Sequence, residues 1–330
     1  MLNRRATMEL VPIMPRSSSS RPKKPVKSAS ANSAPQQPSA FEKAMHELKH
    51  QHATAYPNIS PRWLVGAAAV VVTAALICGW LALCLLYWQG SWQLLYHPAA
   101  AITATPAKAG LSYEPIHFAA KETGETQLTG WWLPSPGAGR TVLYLHGADG
   151  NLSGTVETLA ALHAQNLAVF AIDYRGYGQS GPGRPTEKLL RQDAEWALTW
   201  LTVTRGFAPK TIVIYGSGLG ANMAAELAAD HGEVAGVVLD QPLPNAMAPV
   251  FNDSRSRLVP ARWLVKDRFD LTAAAQSLKI PSLWLLDAGQ LAAPAAYAAT
   301  PGKKTEVWLK APKLTDPNFA PALTRWLDDL

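Results

Sequence analysis

The chain has 330 residues, with 30 Lys and Arg against 24 Asp and Glu, a formal net charge of +6 and only two cysteines. Two cysteines exclude a disulfide scaffold and supply no Cys/His metal cluster, so a buried core must hold the fold together. The basic excess lies in residues 1 to 62, which carry ten Lys or Arg against three Asp or Glu, so the rest of the chain offers no basic nucleic-acid surface.

Residues 1 to 62 are polar and rich in Pro and Ser, as in Arg16 to Pro25 and Ala34 to Pro38, and are expected to form a disordered tail. Its charge reads first as a topology signal on a solvated linker, and second as a contact for anionic headgroups. Phe41, Met45 and Leu48 mark one short amphipathic turn within it.

A charge-free stretch follows, from Trp63 to Trp88, with Tyr87 beside it. It exceeds the roughly 20 apolar residues that span a bilayer, and its ends carry aromatic residues as interfacial anchors do. Both cysteines, Cys78 and Cys84, fall inside it. The positive flank places the tail in the cytoplasm and the rest of the chain on the opposite side, which in a bacterial inner membrane is the periplasm. The bilayer is thus the first expected partner, and residues 89 to 110 read as a juxtamembrane linker.

From residue 111 to 330 strand and helix patterns alternate. Ile116 to Ala119 and Leu128 to Leu133 suit an antiparallel start, followed by Thr141 to Leu145, Ala168 to Tyr174, Thr211 to Tyr215, Val234 to Asp240, Ser282 to Asp287 and Glu306 to Lys310. Several are short continuous apolar runs, the mark of strands buried on both faces. Helices are expected at Thr155 to Gln165, Glu187 to Thr204, Leu219 to Asp230 and Phe319 to Leu330. The architecture this predicts is a mostly parallel eight-stranded sheet covered by helices on both faces. Residues 243 to 275 read as a lid, with Arg255, Arg257, Arg262, Lys266 and Arg268 beside Leu258, Trp263 and Leu264; such a pattern is more often a solvated face over ordinary core residues than a membrane-facing or partner-binding helix.

Gly216-Ser217-Gly218-Leu219-Gly220 sits between a strand and a helix, where a G-x-S-x-G nucleophile elbow exposes its central serine above the sheet. Here the central residue, Gly218, has no side chain. Further pieces are Leu94-Leu95-Tyr96-His97-Pro98, His146-Gly147 with Gly150-Asn151, Asp173-Tyr174-Arg175-Gly176-Tyr177-Gly178 with Ser180, Gly183 with Pro185-Thr186-Glu187, and Arg268-Phe269-Asp270. In their order and spacing, over residues 92 to 330, they resemble the membrane-anchored α/β-hydrolase-domain family of the bud-emergence and acyl-protein-thioesterase-like branch. The resemblance implies an α/β-hydrolase fold and, where the site is intact, serine hydrolysis of acyl esters, thioesters or peptides.

The resemblance also implies an acid after the seventh strand and a histidine after the eighth. Gln290 stands at the acid position, with Asp287 three residues earlier. Lys313 and Leu314 occupy the histidine region, and no histidine follows His231. Ser217 precedes the apex and should point sideways, His146 should orient the oxyanion loop of His146, Gly147 and Ala148, and Asp240 is a spare acid. Oxyanion donors would be the amides of Leu219 and Ala148. The sequence therefore predicts a hydrolase-like protein without catalysis, cofactor or metal, acting in binding, scaffolding or regulation. A divergent esterase, thioesterase or peptidase using Ser217 is the rival; a structural anchor for an envelope protein assembly is the third reading.

Overall fold

The structure is a computed structural model that describes residues 39–53, 60–119, 126–290 and 294–330. The described residues fall into two compact units, divided between Ala69 and Val70. In the first, α1 (Ala40–Ala53) is a regular helix where the sequence suggested only one turn in a disordered tail. A reciprocal capping box explains it: the Glu42 amide donates to Ser39 Oγ and the Ser39 amide donates to Glu42 Oε2. Phe41, Met45 and Leu48 form an exposed stripe on α1. The disorder expected for residues 1–38 and 54–59 lies outside the described residues.

The next helix, α2 (Pro61–Gly90), is long and apolar enough to cross a membrane. Its last turns pack into the second unit: Cys84 and Tyr87 are buried, and the Tyr87 hydroxyl donates to the Val250 carbonyl at 2.7 Å. Residues 89 to 110, expected as a linker, are also part of that core. Leu95 and Tyr96 are buried, and His97-Pro98 pairs in parallel with Asp149-Gly150. These apolar side chains cover ground that a solvated linker would leave open.

The main sheet comprises β1 (Glu114–Ala119), β2 (Thr126–Leu133), β3 (Thr141–Leu145), β4 (Ala168–Asp173), β5 (Ile212–Ser217), β6 (Gly236–Asp240), β7 (Ser282–Asp287) and β8 (Lys304–Leu309). Their spatial order is β1-β2-β4-β3-β5-β6-β7-β8, antiparallel at β1-β2 and β2-β4 and parallel elsewhere. The eight expected strands and the antiparallel start thus stand as read. Successive side chains point to opposite faces, so Leu143 and Leu145 enter one core while Val142 and Tyr144 enter the other.

Helices α3 (Val156–His163), α4 (Glu187–Thr199) and α5 (Leu219–Asp230) follow the sequence pattern, with α4 continuing into a π turn over Trp200–Thr204. Thr186 caps α4 by accepting the Leu189 amide at 3.2 Å. The lid expected at 243 to 275 is shorter. Its two single-turn helices, α6 (Ala248–Phe251) and α7 (Ala261–Leu264), end in a loop, and α8 (Leu271–Ser277) is an ordinary covering helix packed on α5. Asp270 marks the boundary by capping α8 through the Ala273 amide at 3.0 Å. Next come α9 (Ala295–Ala299) and α10 (Phe319–Asp328), the latter burying Leu323 and Trp326 on the face opposite α5.

Two acidic contacts, one buried and one partly exposed, tie the helices to the loops. Arg175 Nε donates to Asp193 Oδ1 at 2.6 Å, and the Arg175 amide donates to Asp193 Oδ2 at 2.8 Å. Glu187 accepts the amides of Arg268 and Phe269 at 2.6 and 2.7 Å and shares a hydrogen bond with Glu226 on α5. Burial, then the charge of Glu187 and that shared bond, push Glu226 up to about 8, against the opposing pull of Arg191; Asp230 adds to the rise. Its value in the unfolded chain is about 4.3, so between these values the folded state holds a proton that the unfolded state does not. Stability from Glu226 is therefore fully present below the lower value and is lost as pH rises through about 8. In urea titrations of the chain in detergent, Glu226→Gln should flatten the stability loss between neutral and alkaline pH; an unchanged slope would remove Glu226 from that role.

Candidate active site

The turn between β5 and α5 is set by close backbone packing. A Cβ on Gly216 would lie 2.1 Å from the Gly220 carbonyl oxygen, and one on Gly220 would lie 2.2 Å from the Leu145 carbonyl oxygen. Only glycine fits either position. Between them Gly218 adopts φ 58° and ψ −121°, the strained conformation of an elbow apex that glycine accepts readily. Its amide donates to the Asp240 carbonyl at 2.9 Å. The seat above it is open, since an added Cβ would meet nothing nearer than Gly147 Cα at 4.0 Å. Leu219 starts α5, where amides lack intrahelical partners. The apex Gly218, which carries no side chain, thus lies beside Gly147 of the His146-Gly147-Ala148 loop.

Ser217 does not fill that position. It follows Val213 and Tyr215 on one face of β5, and its side chain hydrogen-bonds with the Tyr144 hydroxyl, which also bonds Thr158. Tyr144 stacks on Tyr215 with ring centroids 5.5 Å apart, and the Tyr215 hydroxyl donates to Asp240 Oδ2 at 3.2 Å. Burial, with the Asp240 charge adding, holds both tyrosines above their ordinary range, so they remain protonated donors.

Lys313 completes the cluster. Its ammonium is paired with Asp240 Oδ2 and lies 5.5 Å from the Tyr215 ring centroid. The residue in the expected histidine region thus reaches the spare acid at the end of β6. Sequence reasoning named both positions and missed their contact, although both follow strands that end on the same edge of the sheet. The other positions stay apart from this cluster. Gln290 and Asp287 lie in an exposed turn in which Asp287 Oδ1 accepts the Gly289 amide at 2.8 Å and the Gln290 amide donates to the Asp287 carbonyl at 2.9 Å. Leu314, beside Lys313, is partly exposed.

His146 is buried between Tyr174 and Tyr177, at ring-centroid distances of 4.6 and 5.1 Å, with Nδ1 2.8 Å from the Gly147 carbonyl oxygen. Its Nε2 has no hydrogen-bond partner and lies 3.5 Å from Asp173 Oδ1. Burial, against the pull of that carbonyl, brings His146 down to about 4, and burial, against the Leu152 amide bond, brings Asp173 up to about 7. The imidazole is therefore neutral at neutral pH, enclosed by the two tyrosine rings and bonded to its own loop through Nδ1. The Asp173 to Ser180 motif is likewise architectural: Asp173 accepts the Leu152 amide at 2.9 Å, and Ser180 Oγ donates to the Asp173 carbonyl at 2.6 Å. His231, beyond the carboxyl end of α5, bonds Glu195 at 2.7 Å and Glu233 at 2.9 Å. Among the described residues no group of three or more His, Cys, Asp or Glu is arranged to hold a metal. A cavity of about 300 Å³ lies between the segment joining β6 to α8, the cap, and the foot of α2, walled by Trp88, Trp92, Arg184, Val250 and Leu264; no residue of the elbow or oxyanion loop lines it.

This sheet order, with a strained glycine-flanked turn at the end of β5, is that of the α/β hydrolases. Residues 142–330 match the alpha/beta hydrolase family, and the chain belongs to it. It is 31% identical over 219 residues to the uncharacterized protein Rv2307c of Mycobacterium tuberculosis, covering 66% of this chain and 75% of that protein. It is 28% identical over 182 residues to the uncharacterized protein YfhR of Salmonella typhi, covering 50% and 58%. Among solved structures it shares its fold with the Pyrococcus furiosus esterase Pf2001, at a TM-score of 0.54 and 18% identity, over 71% of this chain and 98% of the other.

The three glycines separate by cost. Gly216→Ala and Gly220→Ala each force backbone apart and should destabilise by more than about 3 kcal/mol, whereas Gly218→Ser meets open space and should cost about 1–3 kcal/mol for its positive φ. Thermal unfolding of the three variants checks this; equal losses at all three positions would contradict the packing argument.

Proposed function

We propose that this is a single-pass membrane protein whose α/β-hydrolase domain does not perform serine hydrolysis and acts instead by binding, as a scaffold or regulatory element. The observation that carries the reading is the apex: Gly218 offers no attacking atom, and the Asp240 carboxylate below it is committed to Lys313 instead of an imidazole. An acyl-transfer site needs a nucleophile, a base to take its proton and an acid to orient the base. Loss of one member in such enzymes costs on the order of 10⁴ to 10⁶ in turnover. Donors at the Leu219 and Ala148 amides would still suit an anionic or carbonyl oxygen, so the elbow retains a means of holding a ligand without cleaving it.

Support for the anchor comes from α2, free of charge from Trp63 to Gly90, with its apolar side chains exposed along Val70 to Ile77. A helix of 30 residues is about 45 Å long, enough for the roughly 30 Å hydrocarbon layer with turns to spare. The basic tail favours a cytoplasmic N-terminus, with the hydrolase-fold domain on the other side and its partners among bilayer lipids and envelope proteins.

A fluorophosphonate probe tests the catalytic half of this reading on the full chain in detergent. The natural sequence should remain unlabelled, and Gly218→Ser combined with Lys313→His should gain labelling by restoring a hydroxyl at the apex and an imidazole near Asp240. Labelling of the natural sequence that vanishes in Ser217→Ala would overturn the reading and make Ser217 a nucleophile.

A further inference from the structure

The cap between β6 and α8 is joined to the membrane helix at an informative height. Trp80 Nε1 donates to the Leu258 carbonyl at 3.0 Å, and seven residues later the Tyr87 hydroxyl donates to the Val250 carbonyl. The inner side of α2 is therefore covered by the cap from Trp80 onward. Its outer side stays apolar and uncovered over the same turns, with Leu81, Leu85 and Leu86 all exposed. With α2 read as a membrane anchor, leucines at those positions face lipid. Lipid on one side of these turns and the cap on the other places the cap within the leaflet that α2 leaves.

The cap's surface matches that depth. Trp263 is 85% exposed and Leu258 61% exposed, while the smaller apolar residues Val259 and Ala261 between them are buried. Around them, residues 252–268 carry five cations, Arg255, Arg257, Arg262, Lys266 and Arg268, against two acids. The acids are occupied: Asp253 by Arg255, and Asp267 by the Tyr96 hydroxyl at 2.7 Å. Arg268 is spent on backbone carbonyls of its own loop. Arg257, Arg262 and Lys266 are exposed and have no carboxylate partner among the described residues. Arg262 lies over the Phe251 ring at 5.1 Å and keeps its charge unpaired by any carboxylate among the described residues. An exposed tryptophan and leucine beside cations without carboxylate partners is the surface of an interfacial wedge, whose apolar tips enter the acyl boundary while long basic side chains reach back to phosphates.

We propose that residues 252–268 form a second membrane contact, in which Leu258 and Trp263 insert into the leaflet adjoining the domain and Arg257, Arg262 and Lys266 bind the phosphates of anionic lipids. This rests on the reading of α2 as a membrane anchor. The domain then lies on the bilayer with a fixed face toward it, held at two points rather than swinging from one helix.

Depth-dependent quenching tests the contact and the anchor separately. The full chain, with Cys78→Ala and Cys84→Ala, carries a single NBD-labelled cysteine at Val71→Cys, Leu258→Cys, Trp263→Cys or Val203→Cys and is reconstituted in phosphatidylcholine/phosphatidylglycerol vesicles containing shallow and deep spin-labelled lipids. Val203 is an exposed position remote in sequence from the cap. Labels at 258 and 263 should be quenched by the shallow lipid at least twofold more than the label at 203, and the label at 71 by the deep lipid. Quenching at 71 with 258 and 263 no different from 203 overturns the wedge and leaves the anchor standing; no quenching at 71 overturns the anchor and the wedge with it. Exchanging Arg257, Arg262 and Lys266 for Glu should at least halve quenching at 263, and an unchanged value would overturn the anionic-lipid part.

Discussion

The contact on which the carboxyl edge of the sheet depends is the approach of α5 to β3 and β5 across Gly216 and Gly220. Both glycines face backbone oxygens at distances no Cβ can occupy. That approach aims the start of α5 at the loop after β3 and forces the residue between into a positive-φ turn. Gly218 relieves the strain that any other residue would bear at the apex, since glycine reaches that region at little cost. The turn is therefore a property of the flanking glycines and is independent of what the apex carries. This separates two questions usually answered together: the elbow is an architectural joint, and chemistry at its tip is an addition to it.

Much of this architecture was legible because burial on both faces leaves a strong mark. Strands such as Thr141–Leu145 are continuous apolar runs closed by glycine-rich turns, and all eight lie where the pattern put them. What escaped the pattern has particular causes. Residues 40–53 are a helix because a capping box and an apolar stripe act together in a polar stretch where composition argues for none. Residues 89 to 110 read as a linker because their buried side chains, Leu95 and Tyr96, pack against distant segments and show no period of their own. The covering helix from Leu271 was absorbed into the lid because seven residues rich in alanine carry too short a period to register.

The candidate site was legible in position and opaque in contact. Gly218, Gln290 and Lys313 could be placed by counting from strands, yet nothing in spacing says that Lys313 reaches Asp240 while Asp287 turns to its own loop. The contact has a physical logic. A carboxylate buried at the end of β6 beside two tyrosines must be paired or neutralised, and an ammonium on a flexible stem reaches it from the turn after β8. An imidazole there would orient toward a nucleophile; a lysine with its charge neutralised by Asp240 closes the network on itself. The Tyr144, Tyr215, Ser217 and Thr158 side chains extend the same closed network along the sheet face.

That closure bears on what the domain presents to other molecules. The Asp240, Lys313, Tyr215, Tyr144 and Ser217 side chains beside the elbow satisfy one another, and the described cavity of about 300 Å³ lies between the cap and the foot of α2. Cations without a carboxylate partner among the described residues, and an exposed tryptophan, Trp263, lie on that same cap. Unsatisfied surface is where binding free energy remains to be gained, because contacts already made inside the chain contribute nothing further to a partner. On this reasoning the sheet and its elbow serve as the frame that holds the cap against α2 at Trp80, and the cap carries the surface on which a partner has most contact left to gain.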